Sequence, residues 1–222
     1  MPAAAALLAA LLFGASTPLA KTLVASMPPL YLAGLLYPGS GIGLTTLRLL
    51  RDRRWRTPSL SSRDGLRFLA ASICGGMLAP ALLMYGLRHA SATHASLLLN
   101  LEAVLTAGIA WFAFGENAGS RVVAGMVIIV LGGICLAWSP EVAAHMSSRG
   151  ALAVAAACAL WALDNNLMRD IAGNDALFLA AGKGVIAGVT NLGLAAIVGL
   201  TAPDITDCVT AMTLGFFGYG LS

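Results

Sequence analysis

The sequence predicts an all-α polytopic membrane protein built from inverted five-helix repeats, and three observations carry that reading. Of its 222 residues 59% are hydrophobic and only 10% charged, against about 25% charged in an ordinary soluble domain. Apolar stretches of about 17 to 25 residues recur along the whole chain, the length a helix needs to cross a hydrocarbon core about 30 Å thick. The first and sixth of these stretches can also be laid over each other at a constant offset. A unit of five spans is odd in number, so its second copy must enter the membrane with opposite orientation.

Gly, Pro and charged clusters mark the breaks between spans. They place spans near residues 3–25, 29–50, 65–87, 91–115, 121–138, 150–170 and 176–200, with an eighth beginning near Cys208 in which the chain stops. The first stretch has the length of a signal-peptide core, but it has no basic leader and stays apolar to Val24, which makes it a span. Arg48, Arg51, Arg53, Arg54, Arg56, Arg63 and Arg67 all flank the short loop after the second span. Basic loops stay cytoplasmic, so the N-terminus is expected in the cytoplasm and the fourth span runs from outside to inside. The same arginines are better explained by topology than by nucleic-acid binding, because apolar spans lie on both sides of them. Eleven Arg against two Lys, with abundant Ala, point to a GC-rich bacterial genome and fit an inner-membrane location. Trp111, Phe112 and Phe114 fall where an aromatic belt is expected. Gly39-x-x-x-Gly43 and Gly184-x-x-x-Gly188 permit close helix approach.

At an offset of 148, LFGASTPLAK (12–21) faces LWALDNNLMR (160–169), pairing Phe13 with Trp161 and Lys21 with Arg169. The expected organisation is a first five-helix repeat over 1–140 and a partial, inverted second repeat over 141–222.

LLFGASTPLAK in the first span, MYGLRHASATHASLLLNLEAVLTAGIAWFAFGE across the third and fourth, and GMVIIVLGGICLAW in the fifth carry a resemblance. They resemble the EamA-like family of the drug/metabolite transporter superfamily. That resemblance implies ten spans in two inverted halves, hence a chain truncated in its eighth span, and a permease that moves small metabolites, commonly outward. Ala103 follows Glu102 where the family usually has proline, so a straighter fourth helix is expected.

Polar residues inside apolar spans are expensive and usually functional. A carboxylate at helix centre costs roughly 3 kcal/mol on insertion scales. Glu102 lies about 14 residues, hence about 21 Å, from the cytoplasmic end of its span. Lys21 could reach a similar depth, and a Lys21–Glu102 pair would keep Glu102 ionised; unpaired, Glu102 could take up and release a proton. Asp164, Asn165 and Asn166 lie about 9 Å from the cytoplasmic end of the sixth span. Lys183 enters the seventh span to nearly the same depth, so an Asp164–Lys183 pair is expected. Asp164 corresponds to Ser16 at the repeat offset, so both halves carry a polar interruption at equivalent places, the strongest sequence pointer to a transport site. The substrate or proton pathway is therefore assigned to Glu102, Asp164, Lys183, Lys21, Ser16, Asn165 and Asn100, with Phe13 and Trp161 lining a cavity. His94 stands at i, i+8 to Glu102 on roughly one face.

No P-loop, nucleophile elbow, HExxH or EF-hand occurs, so ATP-driven transport by this chain alone is not expected. Cys74, Cys135, Cys158 and Cys208 are scattered singly, without metal-like spacing, and no cofactor or metal is expected. Glu102 and Asp164 are expected at different depths and so do not make a convergent acid/base pair, which argues against an enzyme. The expected partners are a small-molecule substrate and the lipid bilayer. The alternative is a non-transporting scaffold or accessory subunit: half a pseudo-dimer would have to oligomerise, as a homodimer, before it could rock against a partner.

Overall fold

The computed structural model describes residues 2–53, 58, 60–115, 119–137 and 147–221. Among these, the regular elements are helical: α1 (Pro2–Ser26), α2 (Pro29–Asp52), α3 (Ser62–Ala71), α4 (Ala79–His89), α5 (Ala92–Leu99), α6 (Leu101–Phe114), α7 (Ser120–Ala137), α8 (Ser148–Arg169), α9 (Ala172–Ile197) and α10 (Ile205–Gly215). Two π-helical turns are inserted, Ser72–Leu78 between α3 and α4 and Phe216–Gly220 after α10. Arg54 and Arg56 of the basic loop, and the expected repeat boundary at 140, lie outside the described residues.

Among the described residues, five helices are long and apolar enough to cross a membrane: Leu7–Ser26, Ser62–His89, Ala92–Phe114, Ser148–Arg169 and Asp175–Ile197. The protein is a multi-pass, all-helical membrane protein. The predicted second span is a helix of 24 residues, but Gly, Pro, Ser and Thr make it less apolar than these five. Its position explains why. α2 packs against α9, α10 and α4, and a helix surrounded by protein needs small residues for close approach more than it needs lipid-soluble ones.

The glycines of α2 bring it close to more than one neighbour. A Cβ on Gly41 would stand 2.6 Å from the backbone nitrogen of Val185, and one on Gly184 would stand 2.7 Å from the Cα of Gly41, so α2 and α9 cross backbone on backbone. On another side of α2, a Cβ on Gly39 would come 2.7 Å from the Cα of Met212 in α10. In a membrane, where lipid is as apolar as leucine, such van der Waals contact drives association.

The π-turn at Ser72–Leu78 has a local cause. The amide of Ala79 bonds the carbonyl of Cys74, five residues back. Pro80 follows and has no N–H to offer. The carbonyl of Gly75 is thereby left without a partner in its own helix.

The fourth span is interrupted, although no proline follows Glu102. Asn100 divides α5 from α6: its amide bonds Leu97 in a tight turn, and its side chain donates to the carbonyls of Ser96 (3.2 Å) and Leu97 (3.1 Å). Asn100 keeps right-handed helical dihedrals, φ −62° and ψ −21°, so the interruption is a local tightening where a side-chain amide competes for helix carbonyls.

Arg48 also departs from expectation. It is buried rather than part of a solvated loop, and its guanidinium bonds Asp175 at 2.7 Å and lies over the Phe178 ring at 5.0 Å. Asp175 is a break in α9, with φ −160° and ψ 85°, and its other carboxylate oxygen accepts the amide of Phe178 at 3.0 Å. One carboxylate thus caps the seventh span and neutralises a buried arginine. Arg67 reaches Asp170 at 3.0 Å. The two ion pairs put the loop after α2 and the α8–α9 turn at the same end of the bundle.

Candidate functional site

A cavity of about 850 Å³ lies between α1, the α5–α6 span and α8. From α1 it takes Ala10, Phe13, Gly14 and Thr17, one face at spacings of three and four residues. Facing them are Asn100, Glu102, Thr106 and Ala110, with Asn165, Asn166 and Arg169 from α8. A second cavity of about 380 Å³ shares Ala10, Phe13, Glu102 and Asn165 with the first and adds Tyr37, Trp161, Asp164, Lys183 and Tyr219.

Glu102 is half-buried and accepts the side-chain amide of Asn165 at 2.9 Å. Asn166 is buried and donates to the carbonyls of Thr106 at 3.1 Å and Ala162 at 2.8 Å, joining α8 to α6. Three consecutive polar residues on α8 therefore diverge: Asn165 to Glu102, Asn166 to backbone and Asp164 to Lys183.

Lys183 forms an ion pair with Asp164, the side chains being 17% and 4% exposed. Lys183 donates to Oδ2, and the other oxygen, Oδ1, is buried without a protein hydrogen-bond partner. The cavity wall beside them is aromatic. Phe13 meets Trp161 edge to face at 6.3 Å and Tyr219 at 5.8 Å, and Tyr219 meets Tyr37 at 6.1 Å.

The structure brings together Glu102, Asp164, Lys183, Asn165, Phe13 and Trp161, and places Asn100 at the larger cavity. Glu102 and Asp164 border the same cavity, against the expectation that their depths keep them apart, and Glu102 is bonded to Asn165, the residue next to Asp164. Two predicted residues stand elsewhere. Lys21 does not reach Glu102: its ammonium bonds the carbonyl of Leu87 at the end of α4. Ser16 is buried, donates to Phe13 at 2.6 Å and lies against Gly218. His94 sits in the first turn of α5, where the Ser91 hydroxyl accepts its backbone amide at 3.2 Å and meets its Nδ1, rather than joining Glu102.

Tyr37 and Tyr219 are among the cavity residues that sequence reasoning missed. Tyr37 had a legible signal, an aromatic hydroxyl in the middle of a span directly before Pro38. Tyr219 had none, since its place depends on the π-turn that carries it.

The EamA-like transporter family matches this sequence over residues 1–138. The chain belongs to that family. An uncharacterized transporter of Methanothermobacter thermautotrophicus is 27% identical, over 96% of this chain and 67% of the relative. A solved crystal structure of a protein, 21% identical, shares the fold with a TM-score of 0.67, covering 96% of this chain and 76% of its own. As an EamA-like protein the chain is a membrane transporter, and the smaller of the paired cavities is bordered by the buried Asp164–Lys183 pair.

Proposed function

We propose that the protein is a secondary transporter that moves small metabolites outward across the bacterial inner membrane by alternating access, with its N-terminus in the cytoplasm and Glu102 as its proton-carrying group. The observation that carries this reading is Glu102 itself, a carboxyl at mid-span that borders both cavities and is held by an amide rather than by a cation. A carboxyl so placed can bind either a proton or a cargo donor, and exchange between the two couples their movements.

The shape of the larger cavity supports a form open toward the N-terminal end of α1. Its lining extends down to Ala10, Ala110 and Arg169, whereas at the other end Lys21 ties α1 to α4. An inverted repeat over 1–140 and 141–222 fits the same picture. Phe13 and Trp161, equivalent at the offset of 148, touch each other, as residues beside a pseudo-two-fold axis must.

The test is untargeted mass spectrometry of the medium around cells expressing wild type, Glu102→Gln or empty vector. A metabolite that accumulates outside only with wild type supports export through Glu102. If wild type and variant media match each other and differ from empty vector, Glu102 is structural; if none differs, the export reading fails.

A further inference from the structure

Gly75 belongs to neither set of polar residues, yet three side chains of the smaller cavity converge on it. The π-turn before Pro80 leaves its carbonyl without a helical donor, and two aromatic groups take it: the Tyr37 hydroxyl at 2.7 Å and the Trp161 indole N–H at 2.9 Å. A buried carbonyl without a donor is costly, so these bonds hold both rings in place. On its other side the missing side chain is what admits the ion pair. A Cβ at position 75 would stand 2.6 Å from the Cβ of Asp164 and would overlap its carboxylate.

We infer that Gly75 is a positioning residue of the transport cavity, setting the Tyr37–Trp161 wall through its carbonyl and the Asp164–Lys183 pair through its bare Cα. One backbone unit then fixes an aromatic wall drawn from α2 and α8 and a charge pair drawn from α8 and α9. Wall and pair move together, as one face against which α1 and α6 rearrange. The role in transport rests on the reading of the cavity given above. Placement of the π-turn at such a junction agrees with the frequent occurrence of π-bulges at functional sites.

The experiment uses the full chain purified in detergent with Trp161 as its single tryptophan, Trp55, Trp111 and Trp138 being replaced by Phe. Two signals are read: the ultraviolet resonance Raman band that reports hydrogen bonding of the indole N–H, and the melting temperature in a cycle of Gly75→Ala with Lys183→Met. In Gly75→Ala the indole band is expected to move toward the unbonded position. Lys183→Met should then lower Tm by less than half of what it costs in the Gly75 background, because the pair is already displaced. Pro80→Ala serves as the gentler variant. It supplies a backbone N–H that competes for the Gly75 carbonyl, so the band should move while the full cost of Lys183→Met is retained. Gly65→Ala, at a helical glycine with open space around it, should leave the indole band in place and the full cost of Lys183→Met unchanged. An unmoved band in both Gly75→Ala and Pro80→Ala, or full additivity of Gly75→Ala with Lys183→Met, would overturn the inference. These signals need no transported substrate, so the positioning role can stand where export fails, and the reverse.

Discussion

Replacing Lys183 by Met should be among the most damaging single changes to this protein, and adding Asp164→Asn should repair much of the harm. The pair is largely buried: the Asp164 side chain is 4% exposed and that of Lys183 17%, and Oδ1 of Asp164 already has no protein partner. Removing Lys183 strips the donor from Oδ2 and leaves a buried carboxylate with no compensation, a loss of about 3 to 5 kcal/mol. For a chain of this size that corresponds to a fall in Tm on the order of 10 °C. The double variant Asp164→Asn/Lys183→Met removes both charges at similar volume, and such replacements are often neutral in stability. Thermal unfolding in detergent, followed by fluorescence-detected size exclusion, measures both. A double variant as unstable as Lys183→Met alone would refute the reasoning, since the damage would then come from lost packing rather than from an unpaired charge. Export by the repaired protein should remain absent, separating the stability of the pair from its proposed use.

Other outcomes follow from the same geometry. Asp175→Ala removes the cap of the seventh span together with the nearer of two carboxylates at buried Arg48, Asp52 lying at 3.8 Å; it should cost about 2 to 3 kcal/mol by thermal unfolding, whereas Asp175→Asn keeps the cap and should lose less. Gly41→Ala forces a methyl against the backbone of α9 and should cost about 1 to 3 kcal/mol, while Gly65→Ala in α3 should be neutral or stabilising by up to about 1 kcal/mol. Asn165→Ala should weaken export in the mass-spectrometric assay while leaving Tm within a few degrees, because it removes the donor to a half-buried carboxylate. Uptake into everted vesicles should lose its dependence on an imposed pH gradient in Glu102→Gln; a variant as sensitive to the gradient as wild type would rule out Glu102 as the coupling group.

How much of this was legible beforehand can be judged residue by residue. Membrane insertion was, because twenty apolar residues in a row have no other stable home. So was the Asp164–Lys183 pair, since a buried charge requires a neighbour of opposite sign at the same depth and few are available. Lys21 misled for the same reason run in reverse: a lysine stem is long enough to satisfy its ammonium on a backbone carbonyl, and Leu87 is nearer to it than Glu102. Arg48 looked like one more charge in a basic loop, and only the α9 break at Asp175 turned it inward.

By itself, then, the sequence determined that the chain is helical, that it lives in a bilayer, which carboxyls and amides lie within apolar spans and to which family the motifs belong. These follow from composition and from spacing along one helix. Tertiary structure decided which of those groups meet. Glu102 faces Asn165, Tyr37 and Trp161 share the carbonyl of Gly75, and Asp164 rests where a side chain at position 75 would have been. Each of these contacts joins residues dozens of positions apart, and their register depends on helix interruptions at Asn100 and Ser72–Leu78. A missing N–H at Pro80 and a competing amide at Asn100 set those interruptions, and where they aim the neighbouring side chains is fixed only when the helices pack.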